Sequence, residues 1–244
     1  MKKLIYILLI LQIACSPKEC FEGEGKTVIR EMEVPDFNEI LVGNEISLIL
    51  KQGTTQKVEV KTGENLIDNI SVKVVNTELQ LEDKTTCNFV RDYAITKVIV
   101  TSPNIKRIRS NTARLIKSEG VLNYPVLTLI SEDYLNPDYL NIGDFNLNVN
   151  LDNLVIYCNG NSQFNIYGNT NGLRVEFDAG SPRFEGKNLI AQKVYITQKS
   201  TNDILVNPQL WLKAYIYNIG NVISYNIPPE IEVEEHYTGK LIFN

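Results

Sequence analysis

Gly160-Asn-Ser-Gln-Phe164 and, twenty residues on, Gly180-Ser-Pro-Arg-Phe184 each close on a large apolar residue after a run of small turn formers. Between them stand Phe164-Asn-Ile-Tyr167 and Leu173-Arg-Val-Glu-Phe177, two short runs of strand formers. The same unit recurs at Asn111-Thr-Ala-Arg-Leu115, Asn141-Ile-Gly-Asp-Phe145, Ser200-Thr-Asn-Asp-Ile204, Asn218-Ile-Gly-Asn-Val222 and Tyr237-Thr-Gly-Lys-Leu241. Self-similarity at about nineteen residues marks a repeat architecture, in which units too short to close a core alone bury a shared apolar column by stacking. Small or turn-tolerant residues at the first and third turn positions suit the crowded corners of such coils.

The rest of the composition agrees. Asn is abundant, and Val, Ile, Leu and Tyr arrive in short runs broken by Asn, Gly, Asp and Pro, which predicts many short strands. Beyond Cys15 only a weak piece at Glu64–Ile70 has any helical character. Ile46–Leu50, Lys57–Lys61, Ser71–Val75 and Glu78–Leu81 alternate apolar and polar, with Asn76-Thr77 as a two-residue hairpin turn. Val42-Gly-Asn-Glu-Ile46 reads as a diverged copy of the turn and its anchor. The expected fold is all-β: a solenoid of stacked coils of about 18–20 residues whose equivalent strands pair in parallel, with the N-terminal strands starting or capping it. One domain is expected over residues 27–244, with its clearest repeats at 108–244.

Residues 1–14 read as an export leader. Lys2-Lys3 precedes an apolar run from Leu4 to Leu11, and a small residue stands directly before Cys15, as in a bacterial lipoprotein signal whose cysteine becomes lipidated. Gln12 departs from the usual Leu at that position. Leu4 to Ala14 as a helix would span roughly 16 Å against a hydrocarbon core of about 30 Å, too short for a spanning anchor. Residues 15–26 then form a tether, and the expected address is the bacterial cell envelope, lipid-anchored to the outer membrane.

Loss of Lys2 and Lys3 takes the formal net charge from −5 to −7, a balance that repels phosphate backbones, so no nucleic-acid partner is expected. Lys106-Arg107-Ile108-Arg109, the densest basic run, reads as a solvated strand face. Chemistry is equally sparse. His236 is the sole histidine, and Cys15, Cys20, Cys87 and Cys158 lack the spacing of a metal site, so no metal or cofactor is expected. Cys20 and Cys87 are the candidate disulfide, and Cys158, inside an apolar run, a small core residue. Asp144 and Asp203 precede anchors three coils apart, about 14 Å, too far to act as a carboxylate pair on a glycosidic bond. No catalytic residue is assigned.

The spacing from Leu115 to Phe145 exceeds one coil by about eleven residues, and the excess contains Ser131-Glu-Asp-Tyr-Leu-Asn-Pro-Asp-Tyr139. Insertions in repeat proteins emerge as loops on one face, where binding sits. Tyr134 and Tyr139 would stack on a sugar ring while Glu132, Asp133 and Asp138 accept its hydroxyl hydrogen bonds; a tolerated loop or a hidden further coil are the alternatives.

Phe37-Asn-Glu-Ile-Leu-Val-Gly43, Ile46-Ser-Leu-Ile-Leu-Lys-Gln-Gly53, Val58-Glu-Val-Lys-Thr-Gly-Glu-Asn-Leu-Ile67 and the turns above resemble the auto-transporter adhesin, head GIN domain family of secreted bacterial lipoproteins, over roughly residues 28–244. The resemblance implies a right-handed parallel β-helix-like solenoid exported to the envelope. With the sparse chemistry, the leader and the 131–139 insertion added, the expected role is a non-enzymatic adhesion or glycan-binding surface protein whose partners are the membrane, through its lipid, and carbohydrate or another surface protein. A structural envelope module without a ligand is the alternative, and a carbohydrate-active β-helix enzyme a further one. Most glycines of the family's turn are replaced here by Asn, Ser, Ala or Pro.

Overall fold

The computed structural model describes residues 23–85 and 95–244. They are all-β, with one short 3-10 turn at Ile67–Asn69 inside the segment where weak helical character was read. Seventeen strands join in one sheet. In chain order these are β1 (Thr27–Met32), β2 (Glu39–Val42), β3 (Ser47–Gln52), β4 (Lys57–Gly63), β5 (Ile70–Val75), β6 (Glu78–Asp83), β7 (Lys97–Ser102), β8 (Arg107–Ser110), β9 (Ile116–Leu122), β10 (Val126–Ser131), β11 (Phe145–Cys158), β12 (Gln163–Phe177), β13 (Arg183–Gln198), β14 (Ile204–Ile216), β15 (Val222–Ser224), β16 (Glu230–Glu235) and β17 (Leu241–Phe243).

Two parallel ladders run through the second half. In the first, Ile116 pairs with Phe145, then Phe145 with Phe164, Phe164 with Phe184, Phe184 with Ile204, Ile204 with Val222, and Val222 with Leu241. The second passes through Ile108, Leu129, Ile156, Val175, Ile196, Ala214 and Val233. Strands β11 to β14 contribute to both ladders, so each bends midway and both halves face one core. Register shifts near Asn165, Gly168 and Glu185 mark the bend, where Gly168 takes a φ of 111°. Phe145, Phe164, Phe177 and Phe184, at or next to the strand ends, are fully buried. Phe145 and Phe164 stack with ring centroids 4.8 Å apart.

The turn anchors read from the sequence therefore fall on one column, with one exception. At Asn111-Thr-Ala-Arg-Leu115 the paired residue is Ile116, while Leu115 is 41% exposed. From the last residue of the preceding strand to the anchor takes six steps, from Cys158 to Phe164 and equally from Ser110 to Ile116, so Asn111 is equivalent to Asn159 and not to Gly160. Likewise Ile46 is buried, but the residue that pairs with Ile116 is Leu48. The corners are as tight as the turn residues suggested: a Cβ on Gly180, at a φ of 73°, would lie 2.2 Å from the Gly160 carbonyl oxygen.

The N-terminal strands join the same ladders. β2 pairs in parallel with β8 and β3 with β9. Strands β4, β1 and β5 then add antiparallel at the margins. Asn76 and Thr77, both at positive φ, make the β5–β6 hairpin turn.

Asparagine's abundance has a structural cause here. Asp144 Oδ1 accepts from the Gln163 amide, Asn161 Oδ1 from Ser181, Asp203 Oδ1 from Asn221 and Asn221 Oδ1 from Lys240. Each partner lies one repeat further on, so turn side chains stitch neighbouring corners where backbone pairing lapses.

Candidate functional site

The residues between Ser131 and Phe145 form no strand. Because β10 pairs directly with β11, Leu129 opposite Ile156, no coil is hidden between them. Ser131 to Phe145 takes fourteen steps where Cys158 to Phe164 takes six, so the insertion is eight residues long and sits at one corner.

Its first residues are bound down. Arg109 Nη1 lies 3.6 Å from Glu132 Oε1, with the two side chains only 9% and 17% exposed. Arg109 is thus buried rather than part of a solvated face, while Arg107, half-exposed, pairs with Glu39 and Glu78. Asp133 Oδ1 accepts from Asn159 Nδ2 at 2.6 Å. Within the loop the Asn136 amide donates to the Asp133 carbonyl, the Tyr139 amide to the Asn136 carbonyl and the Asp138 amide to Asn136 Oδ1. The far side is tied by the Leu140 amide donating to Asn111 Oδ1.

Among the five residues proposed from sequence, the structure gives two roles. Glu132 and Asp133 hold the loop's root. Tyr134 projects from it, 63% exposed beside Leu135 at 76%, Asp138 is exposed, and Tyr139 is half-buried. Cys15, Cys20 and Cys87, proposed for lipidation and a disulfide, lie outside the described residues. Cys158 is a free, buried thiol that burial pushes up to about 11.

Next to the loop runs an aromatic row that sequence reasoning missed. Tyr195 and Tyr215 have centroids 6.0 Å apart, Tyr215 and Tyr217 6.4 Å, and Tyr217 and His236 4.4 Å with rings 8° from parallel. Arg174 lies 4.6 Å over the Tyr195 ring, and Lys213 5.4 Å over that of Tyr215. The signal was present in the spacing, since Tyr195 to Tyr215 and Tyr217 to His236 are each one repeat apart. Loop and row meet at Lys199: hydrogen bonding to Asp178 holds its ammonium above the ordinary range, and the Tyr134 and Tyr217 oxygens act the same way more weakly.

The two aromatic sets differ in what they offer. Tyr217 and His236 cover each other's faces and present mainly edges. Tyr134 stacks on no ring among the described residues, which leaves its faces for a ligand. The described residues contain no group of three or more His, Cys, Asp or Glu placed to hold a metal ion. Asp144 and Asp203 are spent on the next corner's amides.

Residues 36–228 match the family described as "Putative auto-transporter adhesin, head GIN domain", and the chain belongs to that family. Solved structures agree on the fold. A putative adhesin from Bacteroides fragilis is 18% identical with a TM-score of 0.80, the alignment covering 91% of this chain and all of that one. A putative adhesin from Parabacteroides distasonis is 17% identical at a TM-score of 0.64, covering 91% and 100%. A putative lipid binding protein from the same species is also 17% identical, at 0.57, covering 90% and 98%. No curated protein matches the chain.

Proposed function

We propose that the chain is a non-enzymatic envelope lipoprotein whose coils form a right-handed β-solenoid, and that the 132–144 loop binds carbohydrate on a neighbouring surface. The observation that carries this is the exposed Tyr134 on a loop fixed at both ends, by Glu132 to Arg109 and Asp133 to Asn159 on one side and Leu140 to Asn111 on the other. An exposed aromatic held in place presents stacking surface at little ordering cost. Parallel ladders with a repeat of 18–20 residues support the solenoid, and membership of an adhesin family supports a surface role without a reaction. The lipid on Cys15 would hold the protein to its membrane, since stable anchoring takes more than one acyl chain.

A glycan array read with wild type and Tyr134→Ala is the test. Binding by wild type that falls about tenfold in the variant is expected, because aromatic anchors dominate such sites. Wild-type protein that binds no glycan would favour a structural module without a ligand, and equal binding by both proteins would move the site off the loop.

A further inference from the structure

The opposite edge of the coils, where β11 and β12 bend, holds an open groove of about 320 Å³. Asn123, Asn150, Asp152, Asn169, Asn171 and Gln192 are among the residues that line it. Asn150 and Asn169 occupy paired positions, so their side chains stand about 4.8 Å apart along the stack. Part of their hydrogen-bonding capacity is used: Asn150 Nδ2 donates to Asn123 Oδ1 at 3.0 Å and Asn171 Nδ2 to Asp152 Oδ1 at 3.1 Å. Asn169 and Gln192 make no side-chain hydrogen bond among the described residues. Tyr124, at the groove wall, is 2% exposed and ends in a buried hydroxyl with no partner, an arrangement that ordinarily costs stability. Ile190, 43% exposed, adds one apolar patch.

We propose that this groove binds a neutral carbohydrate chain lying along the stack. Hydroxyls each donate and accept, which suits side-chain amides that also do both, at successive coils. The lining carries no cation and one carboxylate, so phosphates, sulfates and uronic acids find nothing to neutralise them. An apolar ligand would strand the amides without water. A peptide is disfavoured because the backbone of β11 and β12 is already paired along the groove and leaves no free edge to extend. The site shares no residue with the 132–144 loop. It shares only the expectation of a carbohydrate ligand, and the two are tested apart.

The purified full chain is titrated with cellohexaose, mannohexaose and laminarihexaose, with a heparin hexasaccharide and with a Gly-Ser hexapeptide, following side-chain amide signals by NMR. At least one neutral hexaose should shift the Asn150, Asn169 and Gln192 signals. The exposed double variant Asn150→Ala, Asn169→Ala should keep its melting curve and lose affinity about tenfold, while Tyr134→Ala binds that hexaose as wild type does. The proposal is overturned if no neutral hexaose moves these signals at millimolar concentration, or if heparin or the peptide binds there instead. Undiminished binding by the double variant overturns it as well. Binding lost in Tyr134→Ala and kept in the double variant would uphold the loop and sink the groove.

Discussion

Arg109 and Glu132 form an ion pair with little water around it, which gives Glu132 a supporting role at the root of the loop. Its replacement by Ala leaves a buried guanidinium without a counter-charge, which should cost about 1–3 kcal/mol in chemical denaturation. Asp138→Ala, on the exposed part of the same loop, should stay within about 0.5 kcal/mol. Cys158 offers a test by pH. Its thiol is raised from 9.0 to about 11 by burial, so between those values the unfolded chain loses the proton and the folded chain keeps it. Stability from this group is whole below pH 9 and falls as pH rises to about 11. The slope of stability over that window should be shallower in Cys158→Ala; an unchanged slope would mean that the thiol is not shielded.

Among the elements, the long bent strands carry the core, and the Phe column is their centre. Phe164→Ala should cost about 3–5 kcal/mol, whereas Gln163→Ala beside it, facing outward, should cost about 0.5 kcal/mol or less; equal losses would place the inside and outside faces one residue out of phase. Much of this was legible in the sequence because one column of side chains repeats at the length of a coil. The phase slipped at Leu115, where a small residue at the turn was matched to Gly160 although the count from the strand end makes Asn111 the equivalent of Asn159. The Asn76-Thr77 turn made the antiparallel β5–β6 pair legible, but the antiparallel placement of β1 and β4 was not, since alternation shows which face is buried but not which strand is the neighbour. Tyr134 could be singled out from loop length alone. Asn123, Asn150 and Asn169 could not, because only the pairing of β11 with β12 and the bend bring them together.

At the scale of the whole molecule, two ladders sharing one core give a stiff body with its loop at a corner and its groove at the opposite edge. Attachment is tested separately from binding. Cys15→Ala should move the protein from the membrane pellet to the soluble envelope fraction, and a variant that still resists alkaline extraction would contradict the lipid anchor. The claim that the ladders make the scaffold and the insertion makes the binding surface is tested most directly by excising residues 134–141. That deletion leaves a corner of the Cys158-to-Phe164 length and keeps Glu132, Asp133, Gly143 and Asp144. The shortened protein should unfold cooperatively within about 1 kcal/mol of wild type, yet show no binding to any glycan that wild type recognises through Tyr134. A shortened protein that fails to fold, or one that folds and still binds those glycans as wild type does, would contradict the account.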